Sequence, residues 1–200
     1  MALLPVVGHG VLIDRLVPAD APALAESHSD PVNAEFQGWE TPLATADARR
    51  FIEAQADAEP LAPGTGVQLA IRLTGGGPLV GDLYLHRSTA TPPAVDVGIT
   101  LLPGRHGRGL ATAAVAAVLD AVLTQIPPGG PVERVVAEVD VGNVRSRRLF
   151  ERLGFRLEAR RAAGVRRRDG TPADELVFVM TDRRWPEART PQDPGVDRAR

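Results

Sequence analysis

Apolar positions along the chain follow two periods. Short stretches with every second residue apolar read as half-buried strands, and longer ones with apolar residues three to four apart read as helices. Residues 11–17 predict a first strand. Pro18-Ala19-Asp20 opens a helix over 21–28, with Asp20 as its candidate cap. Thr45-Ala46-Asp47 opens a second helix over 48–58, with Phe51, Ile52, Gln55 and Ala56 at helical spacing, and the irregular stretch 33–42 between the two carries Phe36 and Trp39. Residues 67–73 alternate as a strand, Thr74-Gly75-Gly76-Gly77 turns the chain, and 79–86 resumes, which predicts a hairpin. Residues 94–102 add a third antiparallel member. A long helix over 109–125 is stopped by Pro127-Pro128-Gly129-Gly130. The next strand, 134–139, follows a helix, so a parallel crossover is expected there. A helix over 143–153 ends at Gly154, and 155–161 with 176–181 predict a closing strand pair around a polar loop, 164–173.

This order predicts an α/β fold with a mixed sheet. At 200 residues and 44% hydrophobic content the chain reads as one globular domain over 1–185. Residues 186–200, rich in Pro, Arg and Asp, predict a flexible tail. No apolar run is long enough to span a bilayer, and the N-terminus lacks the charged-then-apolar pattern of a signal peptide, so the expected compartment is the cytoplasm, with no membrane partner. The formal net charge of -2 gives no global pull toward nucleic acid. Without cysteine there can be no disulfide, thiolate metal site or cysteine nucleophile. The four histidines, His9, His28, His86 and His106, have no metal-ligand spacing, so no metal is expected. All 23 basic residues are arginine, and ten of them crowd positions 145–168; they form a solvated face, with the chemistry to help hold an anion.

Candidate chemistry concentrates in two segments. His106-Gly107-Arg108-Gly109-Leu110-Ala111 joins a predicted strand to a predicted helix. Glycine lets a backbone approach an anion closely, and the first free N–H groups of a helix point at it, so this segment suits a diphosphate. It lacks the Lys-Ser/Thr pair of a nucleotide-hydrolysing loop. Downstream, Asn143-Val144-Arg145-Ser146 runs into Leu149-Phe150-Glu151-Arg152-Leu153-Gly154-Phe155, with Asn143 placed to cap a helix.

The two segments, in this element order, resemble the GNAT superfamily of acyl-CoA N-acyltransferases. Val80-Gly81-Asp82-Leu83 and Val95-Asp96-Val97-Gly98-Ile99 look most like the branch that contains ribosomal-protein N-terminal acetyltransferases and many small-molecule acetyltransferases. The resemblance implies a single domain with a mostly antiparallel central sheet flanked by helices, and acetyl-CoA as co-substrate. In register with the family's diphosphate loop, His106 replaces the usual Gln or Arg, while Gly107, Arg108, Gly109, Leu110 and Ala111 hold the cofactor-binding positions. Asn143 falls where the family contacts the pantetheine arm, Leu101 where the strand backbone meets the cofactor, and Ser146 where a hydroxyl approaches the thiol.

The implied reaction moves an acetyl group to a primary amine by direct attack. The amine must first lose a proton, and Asp96, at a position often carboxylate in this branch, and Glu138 are the candidate bases; His86 ends the preceding strand. Many members use a tyrosine to protonate the thiolate, but Tyr84, the one tyrosine here, lies elsewhere in sequence. Trp39 and Glu40 fall where the family often borders the acceptor. Two acceptors fit, a small amine or a protein N-terminus. The arginine cluster leaves a succinyl donor open, the resemblance permits a homodimer, and a catalytically silent acyl-CoA sensor is the alternative of a different class.

Overall fold

The computed structural model describes residues 3–39, 41–124 and 130–189, with 187 and 189 as backbone only. Among them, β1 (Val6–Gly8), β2 (Val11–Arg15), β3 (Gly66–Leu73), β4 (Gly81–Arg87), β5 (Ala94–Leu101), β6 (Arg134–Asp140), β7 (Arg156–Arg166) and β8 (Pro172–Thr181) form one open sheet. Their spatial order is β1-β2-β3-β4-β5-β6-β8-β7. The expected parallel crossover is present: β5 and β6 run parallel, and the other neighbours are antiparallel.

The period of two sorts residues to opposite faces. Val67, Leu69 and Ile71 of β3, Leu83 and Leu85 of β4, and Val95, Val97 and Leu101 of β5 enter one core together with Val115, Val118, Leu119 and Val122 of α4 (Leu110–Leu123). Leu149 and Phe150 of α5 (Val144–Arg152) extend that layer. On the other face, Ala70 and Leu79 pack against Leu24 of α1 (Ala21–Ser29) and Ala48 and Ile52 of α3 (Thr45–Ala54). The one-turn α2 (Pro31–Ala34), capped by the Asp30 carboxylate on the N–H groups of Val32 and Asn33, lies between α1 and α3 in sequence. It occupies part of the stretch expected to be irregular.

Several boundaries differ from the sequence expectations. Asp20 stands at the N-cap of α1 as expected, but its side chain makes no capping bond there; its carboxylate accepts from the Val17 N–H at 2.9 Å and from Arg72 at 2.6 Å. The second helix stops at Ala54, because the Gln55 side chain takes the Gln68 N–H and the carbonyls of Ala56 and Ala58 take the Arg15 guanidinium. Phe51, expected on the buried face, is 46% exposed. The closing hairpin is longer than expected and leaves only 167–171 as its turn. Ion pairs across it, Arg160 to Asp174 and Arg161 to Glu175, let a strongly polar β7 remain a strand. The short β1 has too few residues to show a period. After the hairpin, α6 (Trp185–Arg189) docks through the buried Trp185, whose indole N–H donates to Asp120 at 2.9 Å. The expected helix end at Gln125, the stop at 127–129, Glu40 and tail residues 190–200 lie outside the described residues. No helix among those described is long and apolar enough to cross a membrane.

Candidate active site

The site begins where two strands part. Ala94, Val95 and Asp96 of β5 pair with Arg134, Val135 and Val136 of β6, and no pairing follows. Beyond that point the strands diverge around a cavity of about 310 Å³. Its lining comes from both faces of the sheet: Val97, Ile99 and Phe150 from the α4 and α5 side, and Gln68, Tyr84, Gly98 and Thr100 from the opposite side. Glu138, Val139 and Asp140 of β6, with Asn143 and Ser146, close the far wall. The cavity is therefore a slot through the sheet.

Hydrogen-bond alternation decides which backbone groups face it. Ser88 donates to Ala94 and Leu102 to Val80, so in this register the even-numbered residues of β5 bond β4. The amides of Ile99 and Leu101 then turn toward β6, into the slot. Ile99 lines the cavity, whereas Leu101 does not, and its carbonyl accepts from the Asn33 side chain at 3.0 Å.

The glycine loop leads into α4 as expected. Gly107 and Gly109 hold φ of 74° and 75°, the left-handed region that disfavours side chains. Gly109 is the N-cap residue of α4 and supplies no side-chain cap, so the first N–H groups of that helix, at Leu110 and Ala111, have no intrahelical acceptor. A Cβ at Gly107 or Gly109 would meet nothing within 4 Å. His106 and Arg108 flank these turns and are exposed.

Asn143 caps α5, its side-chain oxygen accepting from the Ser146 N–H at 3.1 Å. The Ser146 hydroxyl makes no hydrogen bond among the described residues. Glu138 borders the cavity, with one oxygen 2.5 Å from Arg161. Asp96 is not part of the lining; it pairs with His86 at 2.9 Å, on the same sheet face as Tyr84 but farther along β4. Pairing of Tyr84 with Gly98 carries the lone tyrosine onto the cavity wall, opposite α5. Burial, and then the Asp96 carboxylate, raise the Tyr84 hydroxyl above its usual pKa of 10.0, so it stays protonated at neutral pH.

A second tier of residues comes from the irregular segment, where the resemblance had placed Trp39 beside the acceptor, and from the hairpin turn, whose contribution sequence reasoning missed. Phe36, Gln37 and Trp39 roof the cavity. Trp39 stacks on His28 with ring centroids 3.9 Å apart, and its indole donates to the His28 carbonyl at 3.0 Å. His28 in turn lies 3.4 Å from the fully buried Asp82, which also takes the Gln68 amide. Arg167 forks onto Asp140 with two 2.8 Å bonds and lies over the Phe36 ring. Gly142 makes this junction possible, since a Cβ there would stand 2.9 Å from Arg167 and 3.2 Å from Phe36. A second, more open cavity of about 440 Å³ adjoins through the shared Gln37 and Trp39; Gly38, Thr41, Arg166, Arg167 and Arg168 complete its lining. Only pairing register and the fold of 31–42 bring these groups together, and neither leaves a periodic trace.

The Arg167 fork holds the Asp140 carboxyl below the ordinary value of 3.8, helped by the Gly142 N–H and opposed by burial. A lowered native pKa contributes stability that is complete above the unfolded value and is lost as pH falls through the native one. Thermal melts between pH 7 and 3 are therefore expected to drop on the acid side, below about pH 4. Asp140→Asn is expected to melt lower at pH 7 and to show a shallower acid decline; equal acid slopes would mean that the fork contributes nothing to stability.

Among the described residues, no three histidine or carboxylate side chains gather as a metal site. The strands splay beside a glycine turn that runs into a helix, a combination suited to a long thioester carrier with a diphosphate at one end.

Known proteins show the same architecture. No curated protein sequence matches significantly. An acetyltransferase of the GNAT family from Bacillus anthracis superposes with a TM-score of 0.75 at 20% identity, over 90% of this chain and 99% of that one. RimJ of Mycobacterium smegmatis, solved with a CoA disulfide, gives 0.72 at 21% identity over 91% and 88%. The ribosomal-protein-S5-alanine acetyltransferase of Vibrio fischeri gives 0.71 at 15% identity over 88% and 95%. The family model described as an acetyltransferase (GNAT) domain matches residues 11–156, which span the splayed strands, the glycine loop and the Asn143 helix, and the chain accordingly belongs to the GNAT acetyltransferase family.

Proposed function

We propose that the protein transfers the acetyl group of acetyl-CoA to a primary amine by direct attack. The slot through the sheet carries this reading. It admits a thioester arm from the α4 and α5 side and an acceptor from the side of Tyr84 and Trp39, so the two reactants meet between β5 and β6. The amides near Leu110 and Ala111 hold the diphosphate, with Gly107 and Gly109 allowing its approach and His106 and Arg108 beside it. Asn143 contacts the arm. The Ile99 N–H, directed into the slot two residues before Leu101 on the same strand edge, polarises the thioester carbonyl and stabilises the developing oxyanion.

Glu138, the carboxylate on the cavity wall, accepts the amine proton through water, and the unengaged Ser146 hydroxyl donates to the departing thiolate. Tyr84, protonated at neutral pH, donates toward the acceptor, and Asp96 stands outside the lining, paired with His86. The attack forms the amide C–N bond and breaks the C–S bond, with no covalent enzyme intermediate. Ribosomal-protein acetyltransferases among the structural relatives favour a protein N-terminus as acceptor; the size of the cavity also admits a small amine. Thiol release from acetyl-CoA across a panel of peptides and small amines, with mass detection of the acetylated product, tests the reading. Tight acetyl-CoA binding without turnover on any amine would replace it with a sensor.

Gly66→Ala probes the acceptor wall. A Cβ at Gly66 would stand 2.6 Å from the Tyr84 hydroxyl and 3.2 Å from its ring carbons, in a side chain exposed enough to swing aside. Stability is expected to fall by about 1 kcal/mol or less. Steady-state kinetics are expected to show a several-fold rise in KM for the amine and an unchanged KM for acetyl-CoA.

A further inference from the structure

The open cavity beside the reaction slot has an unbalanced charge. Along the β7–β8 hairpin, arginines are generally matched by carboxylates: Arg160 by Asp174, Arg161 by Glu138 and Glu175, Arg167 by Asp140. At the turn end, beside the cavity, Arg166 and Arg168 break the pattern. Arg166 donates to the Gly170 carbonyl at 2.7 Å and Arg168 to the Thr41 carbonyl at 3.0 Å, and neither has a carboxylate partner among the described residues. Each spends one of its five N–H donors in this way. The nearby acid, Asp169, turns its carboxylate back onto the N–H and hydroxyl of Thr171, at 2.9 and 2.6 Å. Both unmatched guanidinium groups line the 440 Å³ cavity.

That cavity is not isolated. It shares Gln37 and Trp39 with the slot, so one molecule can reach both. The wall between them is held firmly, with Trp39 stacked on His28 and Arg167 locked to Asp140 over the Phe36 ring. With Arg167 held in its fork and Glu35 and Asp169 the further acids whose charges reach it, Arg166 and Arg168 present two guanidinium groups without a carboxylate partner among the described residues in the cavity that adjoins the slot. Guanidinium groups so placed recognise carboxylate or phosphate oxygens.

We propose that this cavity selects an acceptor whose primary amine is accompanied, a few bonds away, by an anionic group held by Arg166 and Arg168. The proposal rests on the amine-acetylating reading and names its substrate class. An N-terminal peptide with an early acidic residue and a free amino acid with an acidic side chain share this chemistry.

Calorimetry on the CoA-saturated protein separates the cases without requiring turnover. With each dipeptide amidated at its C-terminus, so that only the side chain can carry the anion, alanyl-glutamate is expected to bind about tenfold more tightly than alanyl-glutamine, and alanyl-lysine more weakly than either. The double variant Arg166→Glu, Arg168→Glu is expected to abolish or reverse that order while its acetyl-CoA affinity matches the parent. Tighter binding of free glutamate than of the dipeptide would identify a small-molecule acceptor; the reverse would identify a peptide. Equal binding of the acidic and neutral dipeptides by the parent overturns the proposal, as does an unchanged preference in the double variant. A matching loss of acetyl-CoA affinity also overturns it, by giving the two arginines to the cofactor. If alanyl-glutamate is preferred yet releases no thiol from acetyl-CoA, the anion site stands and the acetyl-transfer reading falls.

Discussion

Gly109→Glu is expected to weaken acetyl-CoA binding by at least about 100-fold, equivalent to roughly 2.7 kcal/mol, measured by calorimetry. Two effects combine. The residue occupies the left-handed region at φ 75°, where a side chain costs about 1–2 kcal/mol. Its carboxylate would also lie at the helix N-terminus and repel or displace the diphosphate there. Because a Cβ at this position meets nothing within 4 Å, the variant is expected to fold, and a thermal melt should show only the conformational cost. Gly109→Ala separates the two effects, since it carries the strain without the charge; about a tenfold loss is expected. Asn143→Ala removes the cap on Ser146 and is also expected to cost about tenfold, with a cap contribution of about 1 kcal/mol in stability. Parent-like binding by Gly109→Glu would move the diphosphate away from this turn.

This prediction rests on a part of the site that could be read before any coordinates. The glycine turn, the helix after it and the Asn143 cap are local, and each is written in consecutive residues. The parallel crossover was equally accessible, because a helix between two strands constrains their direction. The acceptor side is different in kind. Tyr84 reaches the slot only because β4 pairs with β5 in one register, and the same register leaves the amides of Ile99 and Leu101 unused by β4 and turned toward β6, of which only Ile99 also lines the cavity. Phe36 and Trp39 stood in a segment without a period, and their positions are set by contacts with His28 of the preceding helix and with Arg167, distant in sequence. The arginine cluster was visible as composition. That Arg166 and Arg168 lack a carboxylate beside the slot became visible only once the hairpin had matched Arg160, Arg161 and Arg167.

Glu138→Gln is expected to reduce kcat/KM for the amine by about 100-fold, while Asp96→Asn is expected to reduce it less than about tenfold. The ranking follows from position. Glu138 borders the slot where the amine must lie, whereas Asp96 is bonded to His86 and stands outside the lining. The glutamine variant keeps the shape of the wall and can still accept from Arg161, so a lost rate reports lost basicity rather than a collapsed cavity. Its acetyl-CoA affinity should equal the parent's, and its rate should recover as pH rises toward the range where the amine sheds its own proton. Asp96→Asn removes only the carboxylate paired with His86 outside the lining, and is expected to lower the raised pKa of Tyr84 part-way, burial being the larger cause, measurable by ultraviolet titration of the single tyrosine. If Asp96→Asn instead costs the full 100-fold and Glu138→Gln is nearly silent, the proton leaves by the Asp96–His86 pair, and the carboxylate of β6 serves only to hold Arg161.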